Sequence, residues 1–243
     1  MILKKIFVPL KSYFKNFLER INLIIPDNEK PPKLNNIRWE RFYVLSILVN
    51  NSLKNFDSSE LSNLLIVEAG VGYGDTFLFL ALIAEKLGTN LIGFDSFCGF
   101  PEIINTRDRR ILGKPIAKGQ WNVTTINSIR NRLKNSGVGD NFLNNNVKLV
   151  EGFFEDSLRT FETQKKIFFL HLDVDLYSSY KTCLEYLWDQ VIDGGVVVFD
   201  EYKDPKWPDA KVAIDEFFNK KGIKVELDKL TKRGYVQKNL NQK

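Results

Sequence analysis

"LLIVEAGVGYGDT" (64–76) decides how the rest of the chain is read. A short apolar run reaches Glu68, breaks at Gly70, Gly72 and Gly74, and gives way at Asp75 to a helical apolar pattern. A buried strand, a glycine turn and a helix in that order open a parallel α/β unit. The glycines permit a tight turn and let a ligand approach the backbone closely. Glu68, at the strand end, can accept hydrogen bonds from an ammonium. The spacing is G-x-G-x-G rather than the dinucleotide pattern G-x-G-x-x-G, and a purely structural turn explains a lone glycine loop equally well.

Downstream, strands and helices alternate. Helices are expected at 75–88, 123–137, 177–191 and 209–222, and strands at 90–97, 147–153, 166–175 and 194–202. "IKVEL" (223–227) and "RGYVQK" (233–238) can pair as a terminal antiparallel hairpin. This alternation predicts an α/β fold: a doubly wound, mostly parallel sheet with helices on both faces, and ligands at the carboxyl ends of the strands.

Those strand ends carry acids. Asp95 closes the second strand, placed either to grip ribose hydroxyls or to cap a turn. "FFLHLDVDLYSSYK" (168–181) ends an apolar run in Asp173 and Asp175, and "GGVVVFDEY" (194–202) ends in Asp200 and Glu201. Asp173 and Asp200 are 27 residues apart, room for a crossover helix between neighbouring parallel strands. Adjacent strand ends lie about 5 Å apart. Asp173, Asp200 and Glu201 would therefore repel one another unless a positive charge sat among them, and a hard divalent cation with oxygen ligands is one solution. Solvated rim acids with capping duty are the other. His171, Asp173 and Asp175 share one side if the strand stays extended. His171 reads as a satisfied core histidine. Asp175 is open between supporting a metal ligand, touching substrate and capping the helix at Tyr177.

Bulk properties exclude several classes. The chain of 243 residues suits one domain with a helical appendage, divided as an N-terminal extension or lid (1–50) and a main domain (51–243). Its net charge of +5 is scattered, which fits a solvated surface and no nucleic-acid partner. Two cysteines and one histidine rule out a disulfide framework, a Cys-rich metal site and a multi-His zinc site. Lysines interrupt the apolar residues of the first 26 positions too often for a signal peptide or a spanning helix, so a cytoplasmic protein is expected. Phe7, Leu10, Phe14, Phe17, Leu18 and Ile21 form a helical stripe. A helix docked on its own domain or on a second copy, as a homodimer contact, is preferred over peripheral membrane contact or a cover for the active site. Pro26, Pro31 and Pro32 then break the chain, and a second amphipathic helix follows at about 38–50.

"VEAGVGYGDT", "GFDSFCGFPE", "LVEGFFEDSL", "HLDVDLYSSYKTCLEYL" and "GGVVVFDEY" resemble, in order, the motifs of class I S-adenosylmethionine-dependent methyltransferases. More narrowly they resemble the macrocin-type sugar O-methyltransferases, from about Asn35 to the C-terminus. The resemblance implies a Rossmann-like seven-stranded sheet with a terminal antiparallel strand, S-adenosylmethionine, and a divalent cation, usually magnesium. It places Glu68 at the methionine ammonium, Gly70, Gly72 and Gly74 along the cofactor, Asp95 at its ribose, and Ser96 among the cofactor-binding residues. Glu151, Gly152 and Phe153 would border the adenine. It assigns Asp173 as metal ligand and general base, and Asp200 and Glu201 as further ligands. The family usually has two consecutive aspartates where this chain has Asp200-Glu201, and the extra methylene moves the oxygens.

The resulting expectation is O-methylation of a hydroxyl on a sugar or glycosylated small molecule. Asp173-x-Asp175 also matches the D-x-D of metal-dependent glycosyltransferases, and a non-catalytic scaffold on a methyltransferase-like fold is a further alternative. Tyr177 and Lys181 match Y-x-x-x-K of short-chain dehydrogenases by chance, since the glycine spacing is wrong. The acceptor is expected against the long connection 98–121, where Trp121 is a candidate cofactor or acceptor contact.

Overall fold

The computed structural model describes residues 39–108 and 115–239. The expected first helix, the proline break and residues 109–114 of the long connection lie outside the described residues. Seven strands are described: β1 (Leu64–Ala69), β2 (Asn90–Asp95), β3 (Val147–Glu151), β4 (Lys166–Leu172), β5 (Val191–Phe199), β6 (Glu226–Leu227) and β7 (Gly234–Gln237). They form one sheet in the order β3-β2-β1-β4-β5-β7-β6. The first five are parallel; β7 runs antiparallel to both β5 and β6, as the terminal hairpin requires.

Around the sheet lie α1 (Trp39–Leu53), α2 (Asp75–Leu87), α3 (Ile126–Asn135), α4 (Asp140–Asn145), α5 (Phe154–Ser157), α6 (Tyr177–Leu187) and α7 (Pro208–Asn219). The period-two pattern of β1 divides the core. Leu65, Val67 and Ala69 pack with Tyr180, Leu184 and Ile214 of α6 and α7. Leu64 and Ile66 face the other way, onto Leu45 of α1, Leu80 of α2 and Ile129 of α3. Because both faces are covered, all six residues of β1 are buried, which is why the strand reads as an apolar run with Glu68 as its one polar residue.

α1 continues past position 50, so the boundary drawn from the sequence falls inside a helix whose Val44, Leu45, Leu48 and Val49 are buried. Ser52 fastens its last turn, with Oγ 2.9 Å from the carbonyl oxygen of Phe168 and 3.1 Å from that of Gly194. The strand expected to run to 175 stops at Leu172, and the chain bends at Asp175, whose φ is +59°. The helix expected at 177–191 becomes α6 and a separate 3-10 turn, Trp188–Gln190, before β5 opens at Val191. The single-turn α5 and the short α4 carry too few residues for a periodic signal.

Strand order reverses direction between β1 and β4, the switch point where doubly wound folds bind ligands. There the backbone is at its tightest. Gly70 has φ +85°, its N–H donates to the Phe94 carbonyl at 2.8 Å, and a Cβ on it would stand 1.8 Å from the carbonyl oxygen of Asp173. The Asp173 N–H in turn donates to the Ala69 carbonyl at 3.0 Å. Gly88 at the end of α2 shares a positive φ of +65° but has open space around it. Gly70→Ala should therefore lose roughly 2–4 kcal/mol of folding free energy, strain plus collision. Gly88→Ala should lose only about 1 kcal/mol, the left-handed penalty alone. Urea unfolding of the two variants measures the difference, and equal losses would show that the contact at Gly70 relaxes freely.

Candidate active site

The switch point opens into a cavity of ≈ 310 Å³. The glycine turn and Glu68 form one wall, and Asp173, Asp200 and Glu201 another. Phe100, Trp121 and Trp207 also line the cavity, with ring centroids 6.4 Å apart for Phe100–Trp121 and 5.8 Å for Phe100–Trp207. Trp121, 47% exposed, has φ +70° and presents its indole to solvent.

On the first wall, Gly72 and Gly74 take positive φ of +51° and +79°. A Cβ on Gly72 would meet nothing within 4 Å, so its surroundings are open, whereas one on Gly74 would strike Ile129 at 2.6 Å. Asp95 clamps this turn: Oδ2 accepts from the Gly72 N–H at 2.9 Å and Oδ1 from the Phe97 N–H at 2.8 Å. The turn-capping role considered for Asp95 is thus realised, and its carboxylate still borders the cavity. Ser96 holds the next turn by donating to the Gly99 carbonyl at 2.7 Å. Phe153 lines the cavity with Phe154 and Glu155; Glu151 and Gly152 stand beside it at the end of β3.

Glu68 is fully buried. Its Oε1 is 2.9 Å from His171 Nδ1, while Oε2 has no hydrogen-bond partner. Burial pushes the Glu68 carboxyl up to about 7, and the contact with His171 only partly offsets this. His171, also fully buried, has its other nitrogen 3.5 Å from Asp200 Oδ1, outside hydrogen-bonding geometry. Burial alone would lower its pKa; the contacts with Asp200 and Glu68 outweigh that and raise it. His171 is buried as a core histidine would be, yet it joins the acid at the end of β1 to the acid after β5. The alternation of side chains put it on the side of Asp173, but nothing in the sequence showed that Glu68 faces it across the strand pair.

The second wall answers how neighbouring acids coexist. Arg41 of α1 pairs with Asp173 and lies 3.3 Å from Asp200 Oδ1. Arg233, just before β7, pairs with Asp200 through Nε and through Nη2 at 3.1 Å. Burial would raise the Asp200 pKa, but Arg41, His171 and Arg233 hold it well below the usual carboxylate range. Glu201 turns aside. Its Oε2 accepts from the Tyr180 hydroxyl at 2.5 Å and from the Asp175 N–H at 3.3 Å. Burial and the negative charges of Asp173, Asp200 and Asp175 push its pKa well above the usual range. Arg41 and Arg233 went unrecognised from sequence. Arg41 shares the helical stripe of Leu45, Leu48 and Ser52, and a charge on a buried stripe was the available signal. Arg233 carried none.

Donor atoms converge here in two groups, His171, Asp173 and Asp200, and Asp173, Asp175 and Glu201; within each they lie within 4.8 Å of one another. Asp173 belongs to both. Tyr177 and Lys181 are engaged elsewhere: the tyrosine hydroxyl donates to Glu216 at 2.6 Å and the lysine lies over its ring.

Residues 59–238 match the model of the macrocin-O-methyltransferase (TylF) family. A curated relative from Streptomyces olivaceus, 8-demethyl-8-(2,3-dimethoxy-alpha-L-rhamnosyl)-tetracenomycin-C 4'-O-methyltransferase, is 27% identical over 143 residues. That covers 56% of this chain and 52% of the relative, so the matched part spans about half the length of that protein. The structure of the O-methyltransferase NovP superposes with a TM-score of 0.68 at 25% identity, covering 83% of this chain and 80% of NovP. The calicheamicin methyltransferase CalS11 superposes with a TM-score of 0.68 at 21% identity, over 92% of this chain and 91% of CalS11, and shares the fold.

His171→Leu fills a similar core volume but leaves both Glu68 oxygens without a partner. Breaking such a buried pair should cost roughly 3–5 kcal/mol in urea unfolding at pH 8. Unchanged stability would mean that Glu68 does not depend on His171.

Proposed function

The chain belongs to the macrocin O-methyltransferase family, and we propose that it transfers a methyl group from S-adenosylmethionine to a hydroxyl of a sugar or glycosylated small molecule. The observation that carries the reading is the unpartnered, fully buried Glu68 Oε2 on the cavity wall, beside an open glycine turn and across from Asp173. A buried carboxylate oxygen with no donor calls for a positively charged one. The ammonium of the cofactor's methionine part has that chemistry.

S-adenosylmethionine, when bound, supplies an electrophilic methyl on a sulfonium. Glu68 accepts from its ammonium, Gly70, Gly72 and Gly74 leave the backbone free to approach it, and Asp95 with Ser96 offers oxygens to its ribose. Glu151, Gly152 and Phe153 stand at the neighbouring strand end, on the side proposed for the adenine. Asp173 takes the proton of the acceptor hydroxyl on a carboxylate oxygen. Phe100, Trp121 and Trp207 offer apolar ring faces to a sugar and restrict water at the mouth. Most of the rate gain comes from holding hydroxyl and methyl in line.

The oxygen-rich donor set with Asp173 at its centre suits a hard divalent cation such as magnesium. Asp173 and Asp200 would hold the ion; Glu201, the third ligand expected, converges with Asp173 and Asp175 instead. Such an ion, when bound, lowers the pKa of a coordinated hydroxyl. A glycosyltransferase reading through Asp173 and Asp175 is disfavoured, because the chain matches the macrocin O-methyltransferase family over residues 59–238. A homodimer or membrane contact through the first 38 residues and a cytoplasmic location remain part of this proposal; among the described residues no helix is long and apolar enough to cross a membrane.

Two measurements test the reading. Asp173→Asn should lower turnover of a competent sugar acceptor roughly 10²–10⁴-fold, the usual contribution of a general base. Its affinity for S-adenosylhomocysteine in calorimetry should stay close to wild type, because the glycine turn meets Asp173 through its backbone, which the substitution leaves in place; full activity would remove Asp173 from the chemistry. The second test is linkage. Glu68 with a pKa of about 7 holds a proton at pH 6 in the free protein and must release it to meet an ammonium. S-adenosylhomocysteine binding should therefore release protons at pH 6, lose that release as pH rises above 7, and tighten over the same interval. Calorimetry in buffers of differing ionisation enthalpy reads this directly, and proton uptake would show that Glu68 does not meet the ammonium.

A further inference from the structure

We propose that Arg41 is a positioning residue, an internal counter-cation that holds Asp173 and Asp200 together and competes with a divalent cation for them. The inference rests on the cation site proposed above and adds a residue from outside the strands. Arg41 reaches the site from the first turn of α1, anchored by Leu45 and Leu48 on the same face. Its Nη2 contacts both acids, pairing with Asp173 Oδ2 and lying 3.3 Å from Asp200 Oδ1. It thus spans the ends of β4 and β5, where a shared cation would also have to sit.

The two acids do not depend on Arg41 equally. Asp200 keeps Arg233, whose side chain is 7% exposed, as a second partner. For Asp173, the ion pair with Arg41 is the one formed among the described residues. Asp173, Asp200, Arg41 and Arg233 together balance in charge. A divalent ion added to that balanced group would stand against an adjacent guanidinium with little water between them, and like charges at such range repel strongly. Ion and guanidinium therefore exclude each other. The seat is also imperfect for Arg41: its Nε is buried without a hydrogen-bond partner. A donor left unmet makes the guanidinium easier to displace. Displacing it keeps both carboxylates compensated, because the ion takes over Asp173 while Arg233 stays on Asp200.

The test is Mn²⁺ binding to the cofactor-free protein, read by electron paramagnetic resonance of the free ion, for wild type, Arg41→Met and Arg41→Lys. Arg41→Met removes the competitor and should bind Mn²⁺ roughly tenfold tighter or more, within the coupling range of close charge pairs. Its melting temperature without metal should fall, and Mn²⁺ should restore more of it than the ion adds to wild type. Arg41→Lys keeps a charge but loses the fork that spans two acids, so its affinity should fall between the other two. That variant keeps the test informative should the methionine form fold poorly. Equal or weaker Mn²⁺ binding by both variants, with wild type binding the ion, overturns the competition and leaves the cation site standing. No Mn²⁺ binding by any of the three overturns both.

Discussion

Asp200 is the point on which the ligand-binding edge depends. It follows the last central strand, and its carboxylate meets Arg41 from the helix before the sheet, His171 from β4 and Arg233 from the turn before β7. One half-buried charge thereby ties the N-terminal helix, the middle of the sheet and the antiparallel hairpin to one place. Charges in such a site are tolerated only when paired, and Arg41 and Arg233 share that duty for Asp200. The hairpin, remote from the cavity in sequence, gains a second role from this: it delivers one of the two guanidiniums that hold the Asp200 pKa down.

His171 extends the same logic across the switch point. Glu68, His171 and Asp200 belong to three strand ends in a row, β1, β4 and β5, and form one buried polar chain. Its members link the wall proposed for the cofactor to the wall proposed for the acceptor. The close approach of Gly70 to the Asp173 carbonyl fixes the spacing of the two walls through the backbone. Side-chain charge and main-chain sterics thus constrain one distance from opposite faces of the edge, as a reaction requiring in-line placement of two groups demands.

The parts of this arrangement that follow local rules were legible in the sequence. The glycine turn, the acids at the strand ends and the alternation of elements each leave a signal within a few residues, and together they gave the sheet, its reversed terminal pairing and both walls of the cavity. What compensates the acids was not legible in the same way. A need for positive charge could be argued from Asp173, Asp200 and Glu201 alone, but Arg41 and Arg233 lie 132 and 33 residues from their partners, and pairing at that range depends on tertiary packing. The extended-strand assumption also failed at Asp175, because a positive φ in a non-glycine residue has no reliable sequence mark.

The difference between Asp200 and Glu201 shows how one methylene redistributes this edge. Both follow β5, and a shorter acid at the second position would have its oxygens nearer the backbone. The longer glutamate reaches the Tyr180 hydroxyl of α6 and the Asp175 N–H. Burial and three neighbouring aspartates favour its neutral form, while Asp200, beside two arginines and a histidine, is held ionised. Consecutive carboxyls in one turn are thus pushed in opposite directions and serve different partners. Glu201 steadies the bend through Asp175, and so the direction in which Asp173 leaves β4; Asp200 carries the charge.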